Sequence, residues 1–160
     1  MNTPTQTLDV RQFIAKHLVD VFETMMSMQA QPKSGDHAPD FPTRVTGTVG
    51  FGGETVTGAV YLHLSAPFAL HCTSTMLGLP AEELTGEDEI NDVVGEMTNM
   101  LAGGLKSALC DVGNACAVST PAIIRGTAYQ IEALPDVQCE TLAFQVNDNP
   151  VLVEVHIKFH

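Results

Sequence analysis

The sequence predicts a single α+β domain over residues 1–160, with an antiparallel sheet that carries long helices on one face. Two observations predict it. Two segments have the apolar spacing of long helices, and the strand-like segments are grouped together rather than alternating singly with helices. Because a long helix followed by an antiparallel ribbon occurs twice, we expect two pseudo-symmetric halves.

The first helix is predicted from residue 10 to about residue 28, where apolar residues recur at steps of three and four. Thr7 or Asp9 can cap its start, because both side chains accept hydrogen bonds from the first free N–H groups. The following segment, 31–42, is rich in proline, glycine, serine and aspartate. It is therefore expected to form a loop.

A β-hairpin is predicted next. Apolar and polar residues alternate over 45–51 and again over 56–64, on either side of Gly52 and Gly53. Alternation of apolar and polar residues on both sides of a Gly-Gly pair is typical of two strands joined by a tight turn.

Two helices are predicted after the hairpin. The short one ends at Gly78, a residue type common just beyond a helix. The long one spans about 86–112 and is stopped by Gly113. Thr85 and Asp88, three residues apart at its start, resemble a capping box.

The C-terminal part of the chain is predicted to return to strands. A short strand covers 122–125, and two more cover 142–146 and 151–159 on either side of an Asn-Asp-Asn-Pro turn at 147–150. The last strand is long and apolar for the edge of a sheet. On that interpretation it would pair with another chain, so an oligomerisation protein is one possible function class.

The charge balance argues against two classes of partner. The sequence has nineteen acidic and seven basic residues, which gives a net charge of −12. Such a surface repels phosphate backbones and anionic lipids, so we expect neither nucleic acid nor a membrane surface as a partner. No run approaches 18 apolar residues, and the first ten residues lack the regions of a signal peptide. We therefore expect a cytoplasmic protein.

No metal site is expected from the spacing of the potential ligands. The four cysteines contain no Cys-x-x-Cys pair and are expected to be buried, reduced thiols. His156 and His160 are four residues apart, but on a strand that separation is about 13 Å. Neither residue type therefore has metal-ligand spacing on its predicted element.

The long helix carries the strongest candidate site. Its apolar residues fall within about 120° of arc and should face the core: Ile90, Val93, Val94, Met97, Leu101, Gly104, Leu105 and Ala108. The opposite side carries Asp92, Glu96, Asn99, Gly103 and Lys106. Glu96 and Asn99 are three apart, so an accepting carboxylate lies beside an amide that both donates and accepts.

Two glycines of this helix need an explanation. Gly95 and Gly103 each cost about 1 kcal/mol relative to alanine in a helix interior. Their missing side chains would let another backbone, from this chain or a partner, approach closely. The ordinary alternative is that Glu96 and Asn99 are solvated surface residues and that the glycines serve internal packing.

The segment from Asp92 to Leu105 resembles the motif helix of the CheC/CheX/FliY phosphatase family. In that family an Asp or Ser lies four residues before the Glu of a Glu-x-x-Asn motif, as Asp92 lies before Glu96. The small, apolar stretch that follows and Pro121 farther along the chain also match. The likeness covers most of the chain and is closest to the CheX branch.

The resemblance also implies a single site. CheC-like members carry the motif in both halves, whereas the first helix here has Glu23 followed by Met26 where Asn should be.

The resemblance implies hydrolysis of the aspartyl-phosphate of a CheY-like response regulator. Asn99 would orient the attacking water, and Glu96 would pair with the lysine that such regulators keep beside the phosphoryl group. Asp92, Gly95 and Gly103 would contact the partner. The regulator would supply Mg²⁺, so the chain would need no cofactor of its own, and CheX-like relatives form homodimers. The alternative is a docking module that binds a response regulator, or a motor or sensor protein, without hydrolysis.

Overall fold

The computed structural model describes residues 7–34, 39, 41–84 and 86–160. Its helices and strands, in chain order, are α1 (Val10–Met26), β1 (Ala30–Lys33), β2 (Arg44–Gly52), β3 (Val56–Ser65), α2 (Ala66–Leu77), α3 (Glu87–Asp111), β4 (Ala117–Val118), β5 (Ala122–Gly126), β6 (Gln138–Val146) and β7 (Asn149–Phe159). A short 3₁₀ turn, Ala81–Glu83, lies between α2 and α3.

The strands form one antiparallel sheet in the order β1-β6-β7-β3-β2, and both β4 and β5 pair with β2 at its far edge. The three helices contact one another and the same side of the sheet. The α+β prediction, with helices on one face of an antiparallel sheet, is confirmed. A long helix followed by a strand pair occurs twice, as α1 with β2–β3 and α3 with β6–β7.

The core lies between the helices and the face of the sheet that carries the apolar positions of each strand. Val60 of β3 lies opposite Val155 of β7, and both are fully buried. On the helical side, Phe22 of α1 and Phe68 of α2 stack with ring centroids 6.2 Å apart. Apolar residues recur every second position in the strands and about every 3.6 positions in the helices. Each period places these side chains on the face of its element that points into the core.

The expected loop at 31–42 is partly wrong, because Ala30–Lys33 forms strand β1 against β6. Only Ala30 of this strand is buried, and Pro32 lies within it. A proline is tolerated there because β1 is an edge strand. The strand has no apolar alternation that the sequence could reveal. Residues 35–38 and 40 of the expected loop lie outside the described residues.

The prediction that the last strand lies at a sheet edge is wrong. Strand β7 is in the sheet interior, with β6 on one side and β3 on the other. Both of its hydrogen-bonding edges are occupied, so β7 provides no free edge for pairing with another chain.

The C-terminal turn is tighter than expected. Asn147 and Asp148 have φ of 46° and 67° and alone connect β6 to β7, while Pro150 already pairs with Gln145. Two central residues with positive φ are typical of the type I′ hairpin turn, which matches the twist of the strands.

The start of α3 differs from the predicted capping box. Thr85 lies outside the described residues, and the helix begins after Gly86 without a side-chain cap. Its first turn instead carries three acidic residues, Glu87, Asp88 and Glu89. Negative charge at this end is favourable because it faces the positive end of the helix dipole.

Candidate functional site on helix α3

The apolar side of α3 is buried as predicted. Met97, Leu101 and Leu105 are fully buried against the sheet, and Ile90 is half-buried at the start of the helix. This packing determines which side of α3 faces outward.

Three glycine contacts hold α3 close to its neighbours. In the first, Gly47 of β2 lies beneath Thr98, and a Cβ at position 47 would also lie 3.2 Å from Val94 Cγ1. Thr98 is fully buried and donates its hydroxyl to the Val94 carbonyl at 2.7 Å. The helix therefore rests directly on the backbone of β2, one residue before Asn99.

The second contact is made by Gly95, which is buried beneath Pro121. A Cβ at position 95 would lie 3.4 Å from the Pro121 Cγ atom. Pro121 follows a segment that is fastened to β2, where the Gly50 N–H donates to Ser119 Oγ at 2.9 Å. Gly95 is thus buried by a residue of this chain and is not exposed to a partner, although an added Cβ would meet Pro121 at an ordinary van der Waals distance.

The third contact is made by Gly104, which accommodates the His17 ring of α1. Since a carbonyl can only accept, His17 Nε2–H donates to the Met100 carbonyl, at 3.0 Å. Sequence reasoning did not identify His17 or Gly47 as supports of the site. A polar residue within the apolar stripe of α1 and a glycine inside a strand were the available signals.

The outward side of α3 presents a stripe of four residues, Asp92, Glu96, Asn99 and Gly103. Steps of four, three and four residues place them in one line along the helix. Asp92 and Glu96 are exposed, and Asn99 and Gly103 are half-buried. The prediction that Glu96 and Asn99 are accessible side by side is confirmed.

The two candidate catalytic side chains of the stripe, Glu96 and Asn99, are free to bind a partner. Within the described part of the chain, neither Glu96 nor Asn99 has a side-chain hydrogen bond or ion pair. The space over Gly103 is open, since a Cβ there would meet nothing within 4 Å. The site is therefore a convex helix surface with two free carboxylates, Asp92 and Glu96, and one free amide, Asn99.

The equivalent position of α1 has a different geometry. Glu23 is exposed, but Met26, three residues later, is 6% exposed and belongs to the core. A buried methionine cannot present a polar group to a partner. The first half therefore lacks the exposed pair that α3 carries.

The thiols are less uniform than expected. Cys72 is fully buried, whereas Cys110 and Cys139 are exposed, so the prediction that all four are buried is wrong. Burial raises the pKa of Cys72 to about 12 and also raises the pKa of Cys116 and of Cys139. These three thiols are protonated at neutral pH and are not activated nucleophiles.

A cleft of about 790 Å³ lies at the start of α3, away from the stripe. Ile90 and Arg125 are among its lining residues, which include no member of the stripe. A convex helix surface suits a macromolecular partner better than a small molecule, which needs a concave site.

Among solved structures, the fold is that of CheC-like chemotaxis proteins. The chain is 25% identical to chemotaxis protein CheX from Vibrio vulnificus, with a TM-score of 0.79 over 94% of this chain and 97% of that one. It is 26% identical to a CheC-like superfamily protein from Shewanella sp. PV-4, with a TM-score of 0.78 over 96% and 99% of the two chains. CheX from Borrelia burgdorferi, solved as a complex with CheY, BeF₃ and Mg²⁺, is 19% identical, with a TM-score of 0.78 over 95% and 99%.

The model of the chemotaxis phosphatase CheX family matches residues 45–145, which include the whole of α3. The chain therefore belongs to the CheX family. No curated protein matches it in a sequence search. Across the described residues, none of the helices has the length and apolar character needed to span a membrane.

Proposed function

We propose that this protein hydrolyses the aspartyl-phosphate of a CheY-like response regulator, by inserting Glu96 and Asn99 into the regulator's active site. The observation that carries the proposal is the exposed stripe on α3, in which a free carboxylate and a free amide lie one turn apart. Membership of the chemotaxis phosphatase CheX family supports the reaction class. The Borrelia CheX structure with CheY, BeF₃ and Mg²⁺ supports the choice of partner.

The reaction requires few catalytic groups from this chain. Water attacks phosphorus, the bond between phosphorus and the acyl oxygen breaks, and the products are inorganic phosphate and the free aspartate of the regulator. Phosphoryl transfer is accelerated mainly by positioning and electrostatics, so two polar side chains suffice if they are well placed. Mg²⁺ would be held by the regulator, where it neutralises charge on the phosphoryl oxygens.

We assign Asn99 to orienting the attacking water. Its amide oxygen accepts a hydrogen bond from the water, which directs the oxygen lone pair at phosphorus. A glutamine fulfils this role in small GTPases. Asn99 is half-buried on the outward side of α3, and its amide has no competing hydrogen-bond partner among the described residues.

We assign Glu96 to aligning α3 on the regulator. It would form a salt bridge with the lysine beside the phosphoryl group, and the register of α3 on the regulator would follow. Glu96 need not act as a base, because phosphoryl transfer is accelerated mainly by positioning and electrostatics. Asp92 and Gly103 would contact the regulator at the two ends of the stripe.

The proposal also includes a homodimer that works in the cytoplasm, where response regulators occur. Light scattering on the purified protein measures the first part directly. A mass of one chain, 17.1 kDa, across the working concentration range would contradict the dimer.

Two measurements on the same samples test the function. The response regulators of the host are phosphorylated with label, and phosphate release is followed with and without this protein. Binding is measured separately against each regulator in its beryllofluoride form. We expect one regulator to bind in the beryllofluoride form and to lose phosphate faster. State-dependent binding without faster release would support the docking module instead, and absence of both would contradict the proposal.

A further inference from the structure

The face of the sheet opposite the helices brings three metal-ligating residue types together. Cys139 of β6 lies directly across from His156 of β7, and Glu154 is two residues away on the same face of β7. One potential ligand atom from each residue, a sulfur, an oxygen and a nitrogen, lies within 4.8 Å of the other two. Cys139 is exposed, so the cluster is open to solvent on one side.

His156 supplies an independent indication of a missing ligand. The residue is 7% exposed, and its Nε2 atom is buried without a hydrogen-bond partner anywhere in the described part of the chain. Leaving a buried polar atom unpaired costs free energy of desolvation, and such atoms are rare in native proteins. A cation bound to the imidazole would remove that cost.

Glu154 is held in place by a chain of hydrogen bonds from the neighbouring strands. His63 Nε2 lies 2.7 Å from Glu154 Oε2, and His63 Nδ1 lies 2.7 Å from Thr46 Oγ1. The guanidinium of Arg44, which can only donate, also reaches His63 Nδ1, at 3.5 Å. Nδ1 is therefore the acceptor, and Nε2–H donates to the carboxylate.

This arrangement resembles the outer shell of a metal site. In such sites a ligating carboxylate is oriented by a hydrogen bond to one oxygen, while the other oxygen binds the metal. His63 is fully buried, so it holds Glu154 in a single direction.

We propose that Cys139, Glu154 and His156 bind a divalent transition cation of the zinc class. Without metal the Cys139 thiol is protonated, and binding a cation would release its proton to solvent. The resulting thiolate and the Glu154 carboxylate together carry two negative charges, which balance a divalent cation. Sulfur and imidazole donors favour zinc and its neighbours over Mg²⁺ or Ca²⁺, which require oxygen ligands. Three protein ligands leave the fourth tetrahedral position to water or to another ligand.

The cluster is independent of the phosphatase proposal. It occupies the face of the sheet opposite α3, and none of its residues contacts the stripe. The sequence-based expectation of no metal site considered spacing within single elements. Residues 139 and 156 become neighbours only through the register of β6 with β7.

Metal binding can be measured directly on the full chain, purified without an affinity tag and stripped with a chelator. Zn²⁺ is titrated by calorimetry, and Co²⁺ is followed by absorbance as a spectroscopic probe. We expect one cation per chain, a thiolate-to-cobalt charge-transfer band, and a higher Tm with Zn²⁺ because only the folded state contains the site. Cys139→Ser should remove the band and weaken Zn²⁺ binding by about 100-fold or more, at least as much as losing an outer-shell partner.

Matched controls come from the same residue types elsewhere in the chain. Cys110→Ser alters another exposed thiol, and His160→Gln alters a histidine at the end of β7. Both should bind Zn²⁺ within about twofold of the unmodified protein. Because Cys139 is exposed, Cys139→Ser remains informative even if the buried-site variant His156→Gln fails to fold.

Three results would overturn the proposal. These are no stoichiometric binding of either cation, a charge-transfer band that persists in Cys139→Ser, or a band that disappears in Cys110→Ser. The last result would place the cation on α3 instead.

Discussion

Gly47 of strand β2 lies directly beneath Thr98 of helix α3, where any side chain larger than hydrogen would overlap the threonine. Thr98 is buried on the inner side of α3, and Asn99 follows it on the outer side. The glycine thus determines how deeply the helix rests on the sheet. The position of the candidate catalytic amide follows from that depth.

Gly47→Ala is expected to destabilise the protein by about 1–3 kcal/mol, because the added methyl group overpacks the contact between α3 and β2. Gly50→Ala, on the same strand, is the matched control, since a Cβ there would lie 3.6 Å from its nearest neighbour, Ser119 Oγ. Urea unfolding of both variants measures the difference. Equal free energies of unfolding for the two would contradict the close approach of α3 to β2.

Gly103 and Gly104 form a second matched pair, adjacent in sequence but on different sides of α3. Gly103→Ala should stabilise the protein by up to about 1 kcal/mol, because alanine is the better helix former and the space there is open. Gly104→Ala should destabilise it by about 1–3 kcal/mol, because the methyl group would displace His17.

Gly103→Ala also tests whether Gly103 belongs to the surface that binds the regulator. If Gly103 contacts the regulator, Gly103→Ala should weaken binding to the beryllofluoride form while the protein itself becomes more stable. Unchanged affinity in a stabilised Gly103→Ala variant would remove Gly103 from the proposed contact surface.

Asn99→Ala should separate catalysis from docking. Losing the amide that orients water should slow phosphate release on the order of 10²-fold or more, by analogy with loss of one oxyanion donor. Binding to the beryllofluoride regulator should stay within about twofold, because the interaction is made mainly in the transition state. A variant that binds and hydrolyses normally would show that Asn99 is not catalytic.

Glu96→Ala should weaken binding and slow phosphate release together, because a salt bridge to the regulator's lysine contributes to both. Asp111→Ala is the control for removal of one negative charge, since it is exposed on α3 roughly 22 Å along the helix axis from Glu96. Equal effects of the two substitutions would point to a general effect of charge rather than to a specific pair.

Glu23→Ala is expected to leave phosphate release within about twofold of the unmodified protein. Glu23 is exposed and its companion position is the buried Met26, so α1 presents no second pair. An exposed substitution away from the chemistry usually changes stability by no more than about 0.5 kcal/mol. A large kinetic loss in a stable Glu23→Ala protein would mean that the first half is active.

Cys72 should make stability fall at alkaline pH. Burial raises its pKa from 9.0 to about 12, so between those values the unfolded chain releases a proton that the folded protein retains. The contribution is constant below pH 9, and above it the free energy of unfolding decreases by up to about 1.4 kcal/mol per pH unit. Cys72→Ala should flatten this slope, whereas Cys110→Ala should not. Parallel curves for Cys72→Ala and the unmodified protein would contradict the assignment.

The sequence by itself determined the elements whose pattern is local. Apolar spacing predicted α1 and α3, alternation around Gly52-Gly53 predicted the β2–β3 hairpin, and the wheel of α3 placed Glu96 and Asn99 outward. These predictions hold because the geometry of one helix or hairpin depends on neighbours within a few residues. The family resemblance was likewise readable, since its motif lies within a single helix.

Tertiary structure alone decided the features that join distant segments. The polar residues of β1 became a strand only by pairing with β6, and β7 lost its predicted edge position because β3 covers it. Pro121 fills the space over Gly95, and Cys139 meets His156, through contacts that no periodicity encodes. The physical reason is register, because a shift of one residue between two strands reverses which side chains share a face. That choice is made by the packing of the whole core rather than by either strand.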